Sequence, residues 1–141
     1  MENKDIRWLQ RYDSFQKALN RILVVTQSEE TPEMLSELEQ EGLVQRFEYT
    51  TELAWKVLKD ILEERGFHRD EIAGPMPTLQ KAFDTGLIKR HDDWRKMIKA
   101  RNTTSHTYNE GDALQIVQNI YTHYAPLLKE LDESLQELSI A

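Results

Sequence analysis

Apolar residues recur at helical spacing along nearly the whole chain. Trp8, Tyr12, Phe15, Leu19 and Ile22 follow at intervals of four, three, four and three, one stripe of a helix. They predict a first helix from about Asp5 to Gln27, followed by a polar break at Ser28-Glu29-Glu30. Thr31-Pro32 reads as an N-cap with proline at the first helical position, and Glu33 suits the helix dipole. A long second helix is expected from about Pro32 or Glu41 to Arg65. Leu43, Phe47, Ala54, Leu58 and Ile61 form its stripe, Trp55 and Leu62 widen it, and Gly42 is a candidate break. Gly66 closes this helix as the C′ residue, with Phe67 packing back on the last turn.

From His68 to Met76 the chain reads as a loop, marked by Gly74-Pro75 and Pro77. Thr78 caps a short helix bearing Leu79, Ala82 and Phe83, which Gly86 ends. Asp92 or Asp93 opens the next helix, with Trp94, Met97 and Ile98 facing inward. Thr103-Thr104-Ser105 is a poor helix interior, so strain or a boundary is expected there. The last helix follows Asn109 and reaches about Leu138. Its stripe is Leu114, Val117, Tyr121, Tyr124, Leu128, Leu131, Leu135 and Leu138, and Pro126 should kink it. Strand signals are poor. The sum is an all-α, up-and-down four-helix bundle with one or two short extra helices, one domain over residues 1–141.

Charge changes the picture in one region. The net charge is −7, which argues against nonspecific duplex or membrane binding. Yet Lys89, Arg90, Arg95, Lys96, Lys99 and Arg101 cluster before His106, against Asp92 and Asp93 alone. There is no cysteine, so disulfide and thiolate chemistry are excluded. No signal peptide and no apolar run of about 20 residues is found, and a cytoplasmic protein without a membrane partner is expected. His68, His91 and His123 lack ligand spacing, so neither a metal nor a cofactor is expected. Trp8, Trp55 and Trp94 read as core or dimer contacts.

The chemistry concentrates in Arg101-Asn102-Thr103-Thr104-Ser105-His106-Thr107-Tyr108. A guanidinium fits a phosphate through two hydrogen bonds, and an imidazole exchanges a proton near neutral pH. Together they suffice for cleaving RNA without a metal: His106 assists 2′-OH attack or protonates the leaving oxygen, and Arg101 stabilises the non-bridging oxygens. At about 100° per residue, positions five apart lie about 140° apart on a regular helix, so Arg101 and His106 would not share a face. Either the helix loosens, or the site is completed by a second copy across a twofold axis. Asn102, four before His106, serves as a cap or positions His106 or a phosphate. Lys96, Lys99 and Arg95 are the candidate RNA-binding cations.

Arg101…His106 matches the Arg-x4-His motif of HEPN (higher-eukaryote and prokaryote nucleotide-binding) domains, and the longer Arg-Asn-x3-His-x-Tyr resembles the HEPN toxins encoded beside a minimal nucleotidyltransferase antitoxin. A second stretch, Gln45-Arg46-Phe47-Glu48-Tyr49-Thr50-Thr51-Glu52-Leu53-Ala54-Trp55-Lys56, is similar to the signature of the nucleotidyltransferase substrate-binding proteins. The resemblance runs from about Ile6 to Leu138. Thr51 departs from it, since the family often has an aromatic residue there.

The resemblance implies a homodimeric HEPN-like bundle and a metal-independent endoribonuclease toxin, acting on tRNA or mRNA in a type VII-like toxin–antitoxin system. Arg101 and His106 would be catalytic. The cognate nucleotidyltransferase antitoxin would restrain the toxin by attaching AMP to Tyr108. Arg46, Glu48 and Glu52 would support the site, although Glu52 with Lys56 also reads as an ordinary i,i+4 helix pair. The rival implication is a non-catalytic subunit that presents a nucleotide or phosphorylated substrate to the partner enzyme.

Overall fold

The structure, a computed structural model, describes residues 7–104 and 110–140, with backbone alone for Glu110 and Gly111. Among the described residues every regular element is helical. The helices are α1 (Arg7–Thr26), α2 (Glu37–Glu64), α3 (Pro75–Asp84), α4 (His91–Thr104), α5 (Glu110–Asn119) and α6 (Ala125–Ile140). A π turn, Ile120–Tyr124, joins α5 to α6, and short 3₁₀ turns lie at Pro32–Met34 and Arg69–Ile72.

Side-chain contacts fix the helix directions. Arg46 reaches the Arg21 carbonyl at 2.9 Å and Arg7 meets Glu63 at 3.3 Å, so α1 and α2 are antiparallel. Tyr12 donates to Asp132 at 2.8 Å and Tyr121 to the Glu30 carbonyl just past α1 at 3.0 Å, so the α5–α6 rod is antiparallel to α1. Glu48 meets Thr104 and Glu52 meets Arg101, which sets α4 antiparallel to α2. The four long rods therefore alternate up and down, with α3 as a short extra helix. α2 is central: it packs on α1, α3, α4 and α5. Phe15, Phe47, Leu58, Leu79, Trp94, Met97, Ile120 and Leu128 belong to one continuous core. Phe47 stacks on Tyr124 with ring centroids 5.0 Å apart, and burial pushes the Tyr124 phenol up.

Helix ends follow local chemistry, in places other than those expected. Thr31 caps only the 3₁₀ turn, with no side-chain bond. The start of α2 is set by Ser36, whose hydroxyl accepts from the Glu39 amide at 3.1 Å while the Glu39 carboxylate accepts from the Ser36 amide at 2.8 Å. Gly42 lies inside α2 without breaking it, because burial of the adjoining Leu43 and Val44 outweighs its weak propensity. At the other end Gly66 (φ 99°) is C′: its amide bonds the Glu63 carbonyl and the Phe67 amide the Leu62 carbonyl. That is the expected stop, with both orphan carbonyls satisfied.

The expected loop His68–Met76 instead holds a 3₁₀ turn capped by His68 and Glu71, and α3 begins at Pro75. Thr78 is thus not a cap. It is buried one turn inside α3, with its hydroxyl on the Gly74 carbonyl at 2.7 Å. Phe83 faces out and stacks on His91. Beside Pro126 the helical ladder widens: the Ala125 amide bonds the Ile120 carbonyl five residues back. The π register admits a residue with no N–H and a bulky ring.

Candidate functional site

The buried face of α4 is made by Trp94, Met97, Ile98 and Thr104. Arg101 lies on that same stripe, seven residues after Trp94 and three after Ile98, so it faces α2 rather than open solvent. Its Nη2 is 3.5 Å from Glu52 Oε1, and its side chain is 28% exposed. Its Nε is buried with no hydrogen-bond partner among the described residues. Glu52 is shared, since Lys56 Nζ lies 3.4 Å from its other oxygen. One turn earlier on α2, Glu48 Oε2 lies 2.7 Å from the Thr104 hydroxyl, which is also 2.7 Å from the Arg101 carbonyl oxygen.

The threonines explain how α4 reaches this point. Thr103 places its hydroxyl on the Lys99 carbonyl at 3.0 Å, and Thr104 on that of Arg101. Both are bonds from a helical threonine hydroxyl back to a carbonyl of the preceding turn. The described helix runs through the two threonines, where strain or a boundary was expected. Thr104 ties Arg101's backbone to Glu48, a link that spacing alone did not reveal. Its signal was a hydroxyl three residues after an arginine, on the buried stripe.

The remaining candidates fall in three places. Glu48 and Glu52 face α4. Arg46, two residues before Glu48, faces α1 and donates to the Arg21 carbonyl. Arg95, Lys96 and Lys99 are exposed on the outward side of α4, with Lys99 about 160° and Lys96 about 140° around the helix from Arg101. The basic cluster and Arg101 therefore occupy opposite faces of one helix. Asn102 is exposed beside Arg101. His106 and Tyr108 lie outside the described residues. Among the described residues no three His, Cys, Asp or Glu side chains converge as a metal site would need.

This arrangement can receive an anion. A 3.5 Å ion pair is longer than the ~2.7–2.9 Å of a charge-assisted hydrogen bond, so the guanidinium keeps capacity for a phosphate oxygen beside Glu52.

Comparison with known proteins places this geometry in context. The family described as "Nucleotidyltransferase substrate binding protein like" matches residues 10–137. The chain belongs to that family. Over 81 residues it is 33% identical to a Haemophilus influenzae protein named "Probable ribonuclease HepT". The match covers 56% of either protein, so the chain spans little more than half the length of that relative. A crystal structure of a Thermus thermophilus protein shares the fold, with a TM-score of 0.69 and 31% identity, over 83% of this chain and 94% of that one. The helical bundle is thus common to both proteins. Among the described residues no helix is long and apolar enough to cross a membrane.

Proposed function

We propose that the protein is a metal-independent endoribonuclease toxin acting on tRNA or mRNA. The observation that carries this reading is Arg101, a cation turned into the α2–α4 seam with a loose carboxylate partner and an unpartnered buried Nε among the described residues. Five residues on stands His106, completing the Arg-x4-His spacing. His106 takes a proton from a ribose 2′-OH, which attacks the adjacent phosphorus. The P–O5′ bond breaks, the 5′-oxygen takes a proton from solvent, and a 2′,3′-cyclic phosphate remains. Arg101 stabilises the charge on the non-bridging oxygens. The working unit is a homodimer in the cytoplasm, whose two copies line one shared cleft. Glu48 and Glu52 position Arg101, and the outward Arg95, Lys96 and Lys99, with Asn102, hold RNA. The name borne by the Haemophilus relative agrees with nuclease activity.

The decisive experiment is single-turnover cleavage of labelled RNA. Wild type should cut it in the presence of a chelator, and Arg101→Ala and His106→Ala should each lose about a hundredfold or more in rate. Cleavage at wild-type rate by both variants removes the mechanism.

Restraint by a nucleotidyltransferase antitoxin is part of the same proposal. AMP passes from ATP to the Tyr108 phenol oxygen, pyrophosphate leaves, and the new phosphate diester competes for Arg101. Intact mass after incubation with partner, ATP and Mg²⁺ should rise by one AMP in wild type and not in Tyr108→Phe. An unmodified Tyr108 ends this part.

The family description favours a second reading, a non-catalytic subunit that presents a substrate to the partner enzyme. Intact RNA after incubation with wild type, together with partner activity that depends on this chain, would select it.

A further inference from the structure

The α2 signature points two ways. Glu48 and Glu52 turn to α4 and Arg101, whereas Arg46 and Tyr49 turn to α1, and nothing in the cleavage site uses them. On that side a groove of about 220 Å³ lies between α1 and α2, lined by Lys17, Arg21, Arg46 and Tyr49 with Ser14 and Thr50. Three of these are cations and none is a carboxylate, in a chain of net charge −7. Of these, Lys17 is paired with the exposed Asp13 at 3.0 Å. The groove between α4 and the π turn is also basic, through Arg90, Lys96 and His123, but it includes Asp93, and Arg90 is engaged by Glu130 at 3.4 Å.

The α1–α2 groove is built, not incidental. Arg46 is fixed by its bond to the Arg21 carbonyl at 2.9 Å, and the Thr50 hydroxyl sits on the Arg46 carbonyl at 2.6 Å. Beside these cations Tyr49 leaves an aromatic ring 59% exposed.

We infer that this groove binds a segment of single-stranded RNA, with phosphates on Arg21, Arg46 and Lys17 and one base stacked on Tyr49. Cations that follow a backbone beside an aromatic platform are how single strands are held without sequence readout. The size agrees: 220 Å³ is below the ~300–1,000 Å³ of pockets that enclose a small molecule, but suits a strand crossing the surface. The inference rests on the reading that RNA is the ligand, and it places a second contact away from Arg101.

The test is fluorescence anisotropy of a labelled 2′-O-methyl oligoribonucleotide, which lacks the internal nucleophile, against the full chain over a range of salt. Arg21→Ala with Arg46→Ala should weaken binding about tenfold and lower the salt slope by about 1.4, two phosphates at ~0.7 each. Tyr49→Ala should weaken it about tenfold and Tyr49→Phe should not. Arg65→Ala, an exposed cation elsewhere, should bind as wild type. Circular dichroism melts check folding, and the exposed Tyr49 gives a variant that leaves the core intact. Wild-type affinity in the groove variants overturns the inference. So does retained RNA affinity with lost capture of the nucleotidyltransferase partner, which would make the groove a protein-docking face. If groove variants lose affinity while Arg101→Ala still cleaves normal RNA, the groove stands and the cleavage reading falls.

Discussion

Glu52 Oε1 and Arg101 Nη2 face one another across the α2–α4 seam at 3.5 Å, and the same carboxylate also holds Lys56 at 3.4 Å. The pair holds Arg101 on the buried stripe of α4 without saturating it. Glu52→Gln keeps the shape and removes the charge that orients the guanidinium. Single-turnover cleavage should fall about tenfold while RNA affinity changes little, because a misplaced group of this kind acts on the transition state. Unchanged cleavage would show that the carboxylate does not position Arg101.

Thr51 occupies the centre of the α2 core stripe, four residues after Phe47 and three before Ala54. It is fully buried, and its hydroxyl has no partner among the described residues. Thr51→Val keeps the volume and removes the unpaired oxygen, so it should stabilise the fold by about 1 kcal/mol. Thr51→Phe should cost about 1–3 kcal/mol by overpacking. Urea midpoints at constant m-value are the measurement, and the opposite ordering would refute the packing argument.

Ser36→Ala removes the cap that starts α2 and should destabilise the protein by about 1 kcal/mol, read as a lower Tm. The Ser36 amide and then its hydroxyl hold the Glu39 carboxyl below its usual range. A depressed carboxyl contributes stability above its unfolded value and loses it as pH falls through the folded one. The Tm gap between wild type and Ser36→Ala should therefore narrow in acid. A gap independent of pH would mean that the Ser36 hydroxyl does not help to hold the Glu39 carboxyl in solution.

Asp60 is buried at the α1–α2 seam, 3.1 Å from Arg11. Desolvation pushes its carboxyl up, and Arg11 pulls it back. A raised carboxyl binds its proton more tightly in the folded state, so its effect on stability improves as pH falls through the folded value. Arg11→Ala leaves the charge uncompensated and should cost about 2 kcal/mol at neutral pH, below the ~3–5 of a fully buried pair because Arg11 is 34% exposed. That cost should shrink on acidification and vanish in Arg11→Ala with Asp60→Asn. Thermal melts at neutral and mildly acidic pH decide it; a cost that grows in acid would reverse the sign.

The bundle was legible because burial imposes a period. Trp8, Tyr12, Phe15, Leu19 and Ile22 are all buried as their spacing predicts, and the Gly66-Phe67 stop forms as the local rules require. Helix starts were less legible. Thr31-Pro32 and Ser36-x-x-Glu39 are both sound N-terminal signals five residues apart, and only the second continues into a helix. The family motifs named the residues of interest but not their directions. Arg46 and Glu48 are near neighbours in the signature, yet two residues is about 200° of helix, and they serve different grooves.

By itself, then, the chain determined which positions are apolar, where glycine must end a helix, and which guanidinium, imidazole and phenol stand close in sequence. Those follow from local period and backbone chemistry. Only the tertiary structure decided that Arg101 turns inward to Glu52 while Arg95, Lys96 and Lys99 turn out, and that Arg21 of one helix meets Arg46 and Tyr49 of another. Which side chains converge depends on how separate rods are rotated against each other, and that rotation is set by the packing of the whole core.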